Sequence, residues 1–358
     1  MSVNLSIIGL PQSGRTSVFN ALTKGAVDLS SHLGTTNMGI AKVPDERLSA
    51  LRNLFAPKKF TLAEVRYIEA GSGVKAISSN ILNQIAQSDA LVSVIRAFDE
   101  ENSEDSNHTG ALHDIEELFL EIAFSDMGII EKRLERIVSQ ARIANAAERS
   151  RLNEEEALML RLQKGLEGGL PIRQMALSPN EESIISSYRF LSQKPMITII
   201  NISENNLEKS KEIENYFKER FNNEGQDFIA LCASLEAELS ELPAEECADM
   251  CNDFGIEEPG LNRVIRKSFA LLNLISFFTV GSDEVRAWPI VKGTTAQKAA
   301  GKIHTDIERG FIRAEVVCCD DLLAKKTIPE VKKTGLLRLE GKTYVVVDGD
   351  VINFLFNV

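Results

Sequence analysis

Residues 9–16 read Gly-Leu-Pro-Gln-Ser-Gly-Arg-Thr, and this run constrains the chain more than any other segment. It follows a candidate apolar strand (Leu5, Ile7, Ile8) and precedes a helical stretch, Ser17 to Lys24, with Val18, Phe19 and Leu22 on one side. Strand, glycine loop, helix is the context that a phosphate-binding loop of the form G-x-x-x-x-G-K-[ST] requires. Gly9 and Gly14 permit backbone angles that turn the N–H groups through Gln12 and Ser13 inward around a phosphate, and the positive end of the following helix adds to the attraction. Thr16 is the hydroxyl such a loop places on Mg²⁺, and Ser17 follows it in the first turn. The lysine position, however, holds Arg15. A guanidinium keeps the charge but is longer, planar and built for forked hydrogen bonds. The run therefore predicts anion binding with a poor fit for fast phosphoryl transfer, the alternative being a retained loop that binds nothing.

Short, nearly continuous apolar runs recur after the loop at residues 62–68, Ala90 to Ile95, Met196 to Ile200 and Phe228 to Leu231. Such runs suit strands covered on both faces, so the expected fold is a doubly wound parallel α/β domain with its ligand at the carboxyl ends of the strands. About a hundred residues of helical character separate the second and third of these runs, too many for one crossover. Met127, Ile130, Leu134, Ile137, Ala141 and Ala144 alternate by three and four, and Leu158, Leu162 and Leu166 suit a returning helix. An inserted antiparallel helical hairpin is expected, a plain helical subdomain being the alternative. Beyond about residue 274 the style changes to short strands around one helix, Thr295 to Glu308, an order that fits a ubiquitin-like β-grasp module. The expected boundaries are 1–111 with 191–274 for the nucleotide domain, 112–190 for the insertion and 275–358 for the last module.

Composition excludes several function classes. No apolar run approaches the length needed to cross a bilayer and the amino terminus lacks the pattern of a secretory signal, so a cytoplasmic protein with no membrane partner is expected. Five cysteines form no C-x-x-C pair and four histidines are scattered, against a metal cluster or disulfide framework. Cys247 and Cys251, one helical turn apart with no nearby histidine, read as packing residues. The net charge of −12 argues against indiscriminate nucleic-acid binding; residues 275–358 carry 12 Lys/Arg against 11 Asp/Glu, so any RNA contact should be local.

The later part of the chain carries more specific signatures. Phe277-Phe278-Thr279-Val280-Gly281, Glu284-Val285-Arg286-Ala287-Trp288, Lys292-Gly293-Thr294-Thr295-Ala296 and the run from Ile303 to Arg313 are joined by Glu131-Lys132-Arg133-Leu134-Glu135-Arg136 and Leu235-Glu236-Ala237-Glu238-Leu239. Together with the phosphate loop, these resemble the YchF/Obg-like ATPase family: P-loop proteins of translation with a nucleotide domain, a helical insertion and a carboxyl-terminal TGS module. The resemblance implies a purine nucleotide, ATP or GTP, with Mg²⁺ as cofactors and ribosomes or translation factors as partners.

Residue by residue, Asn201-Ile202-Ser203-Glu204 resembles the family's N-x-x-E base element, whose longer carboxylate implies ATP preference. Cys232-Ala233-Ser234 falls at its S-A-K loop, with Cys232 and Ser234 both substituted. The catalytic side departs further. The family's D-x-x-G becomes Ile68-Glu69-Ala70-Gly71, with Ser72 replacing an apolar residue. Because side chains alternate along a strand, Glu69 is expected to face away from the site. The metal-binding threonine of the first switch falls at Leu33, with Thr35 and Thr36 nearby. No catalytic residue is assigned, and Thr16 is the single metal ligand assigned. Three readings follow: a nucleotide-binding regulator with weak or lost hydrolysis, a slow ATPase that accommodates Arg15 and Glu69, and a nucleotide-free scaffold.

Overall fold

A computed structural model of the 358-residue chain describes residues 3–24, 37–69, 84–98, 108–221 and 225–357. In chain order, the first elements are β1 (Val3–Gly9), α1 (Arg15–Thr23), β2 (Asn37–Lys42), α2 (Glu46–Phe55), β3 (Lys59–Thr61), β4 (Glu64–Glu69) and β5 (Ala90–Arg96). Three helices follow, α3 (Thr109–Ala141), α4 (Ala146–Glu167) and α5 (Pro179–Ile185). Next come β6 (Met196–Asn201), α6 (Ser210–Arg220), β7 (Gln226–Leu231), α7 (Ala233–Glu241), α8 (Ala244–Asp253) and α9 (Gly260–Leu271). The last part runs through β8 (Leu274–Thr279), β9 (Glu284–Val291), α10 (Ala296–Ile303), α11 (Thr305–Arg309), β10 (Phe311–Cys318), α12 (Cys319–Lys325), α13 (Ile328–Lys333), β11 (Arg338–Glu340) and β12 (Asp350–Phe356). The chain divides into two compact units, Asn4–Gly39 with Tyr67–Leu261, and Met1–Val3 with Ile40–Arg66 and Asn262–Val358.

The first sheet has the order β2-β4-β1-β5-β6-β7. Its β1–β5, β5–β6 and β6–β7 pairs are parallel, as the buried apolar runs require. Every residue of β6 is buried, and Leu91, Met196, Ile200, Phe217 and Phe228 share one core. In β4 burial alternates, with Val65, Tyr67 and Glu69 on the covered face.

Helix α3 is 33 residues long and α4 is 22, with a short turn between them. Asn145 caps α4 reciprocally with Glu148, a capping box that stops α3 from continuing. The two helices run antiparallel: Ile130 packs with Leu158 and Met159, and Arg133 grips Glu155 through 2.8 and 2.6 Å bonds. Asp126, fully buried, accepts the N–H groups of Leu191 and Ser192, both at 2.8 Å, and ties α3 to the segment that leads into β6.

The second sheet has the order β11-β10-β12-β8-β9-β3. Its core gathers Phe277, Ala296, Ala300, Phe311 and Phe354. Two features differ from expectation. The segment Lys59–Thr61 joins this sheet, parallel to β9. The expected single helix from Thr295 to Glu308 breaks at His304, whose backbone is extended (φ −159°, ψ 144°) and whose Nδ1 accepts the Asp306 N–H, capping α11.

Candidate nucleotide site

The loop after β1 is shaped by close approaches. A Cβ on Gly9 would lie 2.6 Å from the Val94 carbonyl oxygen of β5, and one on Gly14 would lie 2.2 Å from Asn201 Nδ2. Gln12 (φ 63°) and Gly14 (φ 88°) both adopt the left-handed conformation, which turns successive N–H groups toward a common centre. Helix α1 starts at Arg15 with no side chain capping it and no acidic residue in its first turn. Its first-turn N–H groups are therefore available to an anion. Ser13 is buried and its Oγ has no partner. A buried hydroxyl without a hydrogen-bond partner beside an uncapped helix start offers a donor to an anion.

Four side chains meet at the rim, Arg15, Thr16, Asn37 and Glu69. Arg15 Nη1 donates to the Gly9 carbonyl at 3.2 Å, while its Nε, buried without a hydrogen-bond partner, lies 3.8 Å from Glu69 Oε1. Burial pushes the Arg15 guanidinium down from its usual range, and Glu69 partly offsets that. Thr16 Oγ1 donates to the same Glu69 oxygen, and Asn37 Nδ2 donates to the other at 2.8 Å. Glu69 thus faces the loop rather than away from it. Alternation along β4 holds; the face that meets the loop is the one carrying Val65, Tyr67 and Glu69, one residue out of step with the expectation. A threonine hydroxyl and a carboxylate that converge are hard oxygen donors, and they fit a Mg²⁺ that takes its remaining ligands from phosphates and water. Among the described residues no group of three His, Cys, Asp or Glu forms a cage for a metal by itself.

At the other end, Asn201 terminates β6, buried, and uses both ends of its amide. Its Nδ2 donates to the Ser13 carbonyl and its Oδ1 accepts the Ala233 N–H, each at 3.0 Å. Asn201 therefore straps the phosphate loop to the Cys232-Ala233-Ser234 segment, where Cys232 Sγ lies 3.1 Å from Ser234 Oγ. Ile202 belongs to the core of the parallel sheet, and Glu204 opens a short 3₁₀ turn with its side chain exposed. Thr16, Ser17 and Gln12 are exposed. The loop from Gly9 to Thr16, Asn201 and Ala233 are brought together. Asn37 was not anticipated; its only sequence signal is a polar residue at the start of a short alternating strand. Leu33, Thr35, Thr36, Gly71 and Ser72 lie outside the described residues.

A parallel sheet whose first strand runs into a glycine loop and an uncapped helix, with an asparagine strap from a later strand end, defines an α/β protein of the P-loop NTPase class. Similarity over the whole length narrows the class. The chain is 36% identical over 370 residues to the "Ribosome-binding ATPase YchF" of Bacillus subtilis (strain 168), covering 100% of both. It is 37% identical over 370 residues to the protein of that name in Haemophilus ducreyi and 35% identical over 368 to that of Escherichia coli O157:H7, again over 100% of each. The solved YchF GTPase of Schizosaccharomyces pombe superposes with a TM-score of 0.83 at 30% identity, over 99% of this chain and 98% of that one. Residues 274–357 match the family YchF-GTPase_C, described as a protein of unknown function (DUF933). The chain belongs to the YchF family.

Proposed function

We propose that this chain is a purine-nucleotide-binding regulator of the YchF type, cytoplasmic and ribosome-associated, in which hydrolysis is weak or lost. The observation that carries the binding half is the uncapped start of α1, with left-handed Gln12 and Gly14 around the unpartnered Ser13 hydroxyl. Gly9, Ser13, Gly14, Arg15, Thr16 and Ser17 would hold the phosphates, with Mg²⁺ on Thr16. Asn201, Ile202, Glu204, Cys232 and Ala233 would border the base, with ATP preferred. Bound Mg²⁺ would neutralise phosphate charge; the chain's own residues supply the N–H cradle and one guanidinium. Weak turnover is supported by Arg15 in place of the loop lysine, its guanidinium already engaged with the Gly9 carbonyl. The ribosome partnership rests on the names of the relatives. The helical hairpin of residues 112–190 and a TGS-like module at 275–358 would make the contacts. Lys298 contributes less than its charge suggests, because it pairs with Glu308 at 2.9 Å.

Thermal denaturation with and without millimolar Mg·ATP or Mg·GTP tests binding. A nucleotide at a hundred times its dissociation constant is expected to add about 2.7 kcal/mol of stability. Indifference to both nucleotides removes the reading and leaves a scaffold. Phosphate release is expected to run about 10²- to 10³-fold slower than in a relative with the intact lysine. Restoring Arg15→Lys should raise it. A second reading, a slow ATPase adapted to Arg15, is favoured by the Glu69 carboxylate on Thr16; it predicts that Arg15→Lys leaves turnover equal or lower.

A further inference from the structure

Outside the phosphate loop, the helical pair α3 and α4 borders an apolar cavity of about 390 Å³, walled by Phe119 and Ile122 of α3, Leu166 of α4, Leu170 and Phe221. All of these belong to one compact unit. A single cation lines it, Arg173, and among the described residues no carboxylate lies within ion-pair distance of its guanidinium. Instead Nη1 donates to the Ser192 carbonyl and Nη2 to Gln226 Oε1, both at 3.3 Å, the Phe119 ring centre lies 5.7 Å away, and Nε is buried without a hydrogen bond. Two neutral acceptors at that distance compensate a desolvated cation weakly, since a charge-assisted bond to a carboxylate is typically about 2.7–2.9 Å long. Arg133, in the same unit, shows the satisfied alternative, with its 2.8 and 2.6 Å bonds to Glu155. Burial pulls the Arg173 guanidinium down to about 10, so it stays charged at neutral pH, and Asp126 opposes the shift only through space. Asp126 directs its own oxygens to the N–H groups of Leu191 and Ser192. Glu116, the carboxylate of the lining, is exposed.

We propose that this cavity binds a small amphipathic monocarboxylate of the medium-chain fatty-acid kind, with its carboxylate on Arg173 and its hydrocarbon body between α3 and residues 166–171. Apolar walls with one placed polar group, in a volume between about 300 and 1,000 Å³, are the usual make-up of a small-molecule site. The planar fork of a guanidinium selects an acceptor with two coplanar oxygens. The walls select the rest of the ligand: a sugar or a polyphosphate would strand its polar groups against Phe119, Ile122 and Leu166. Leu120 and Leu170, 55% and 42% exposed, mark the mouth through which a chain would enter. None of these residues belongs to the nucleotide site, so the proposal stands apart from that reading.

The test is isothermal titration calorimetry of the full chain with octanoate and with octanamide, its uncharged match, for wild type, Arg173→Gln and Leu170→Asp. Wild type is expected to bind octanoate at least about tenfold tighter than octanamide, the margin of a hydrogen bond to a charged group. Arg173→Gln should remove that preference. Leu170→Asp changes an exposed side chain at the mouth, so it serves if Arg173→Gln does not fold, and its added charge should weaken octanoate several-fold more than octanamide. Equal binding of the two ligands by wild type means an apolar groove without a carboxylate site and overturns the proposal. So does octanoate affinity unchanged in both variants, and so does the absence of octanoate binding by wild type at millimolar concentration.

Discussion

The rim of the phosphate loop and the end of the carboxyl-terminal sheet both bury charged groups, and they treat them differently. Around β12, Asp350 is 3% exposed and fully used: it accepts the Tyr344 hydroxyl at 2.8 Å, the Val347 N–H at 2.9 Å and an Arg338 nitrogen at 3.4 Å. Burial, then Asp350, hold the Tyr344 phenol above its ordinary range and so protonated as a donor. Nearby, Arg47 divides its guanidinium between Asp45 and Asp348, and Asp348 also accepts the Ser276 N–H. The phosphate loop instead leaves Ser13 Oγ and Arg15 Nε buried with no hydrogen-bond partner, Arg15 Nε reaching Glu69 only at 3.8 Å. Buried polar atoms are satisfied almost everywhere in native proteins, so each exception calls for an explanation; Arg173 Nε and Gln226 Nε2 are also without a hydrogen bond, and what sets Ser13 apart is the uncapped helix start beside it.

Asp350→Ala tests the completed side and should have the largest effect on stability. It strands a phenol and an N–H that lost their acceptor, at a cost of about 3 kcal/mol in chemical denaturation. The Arg338 contact adds little because that side chain is 47% exposed. A change below 1 kcal/mol would mean that the two ends of the comparison do not differ in kind.

Much of this architecture was legible in the chain, and the exceptions have physical causes. The glycine loop, the parallel strands and the long helices announce themselves through local pattern, because burial on both faces or along one stripe imposes its own periodicity. Strand β3 escaped because it has three residues and pairs with β9, more than two hundred positions away, so no local signal marks it. The break at His304 contains neither glycine nor proline; it is set by a side-chain cap that only the folded turn reveals. Glu69 is the instructive case. Alternation says which residues of a strand share a face but not which face meets a neighbouring loop, and one step separated an idle residue from the centre of the site.

The antiparallel pair α3 and α4 stands between the two extremes, with a partly buried network that is complete but reachable by protons. Arg133 and Glu155 are 19% and 15% exposed, and the Tyr188 hydroxyl donates to the same carboxylate. The hydrogen bonds from Arg133 hold the Glu155 carboxyl below its ordinary 4.5, against the opposing effect of burial. A carboxyl whose pKa is lower in the folded state contributes stability that is present above the unfolded value and lost as pH falls through the folded one. Arg133→Ala should therefore cost about 1–2 kcal/mol at neutral pH and distinctly less near pH 3, read as the difference from wild type in denaturation at the two pH values. An unchanged difference would show that Arg133 acts by packing rather than by charge.

The sharpest form of the comparison is the substitution with the smallest effect on the fold. Ser13→Ala removes a buried hydroxyl that has no partner, so nothing is stranded by its loss, and the ligand-free stability should stay within about 0.5 kcal/mol of wild type. The same change in the presence of saturating Mg·ATP should reduce the nucleotide-dependent gain in melting temperature, because the hydroxyl lies among the groups that would meet the phosphates. Asp350→Ala should show the reverse, a large loss without nucleotide and an unaltered gain with it. If Ser13→Ala destabilises the empty protein as much as it weakens the ligand response, then Ser13 is part of the packing of the loop against Gly9, where a Cβ would already sit 2.8 Å from its oxygen. The unpartnered hydroxyl would then be a feature of the loop's own construction rather than a position held for a ligand.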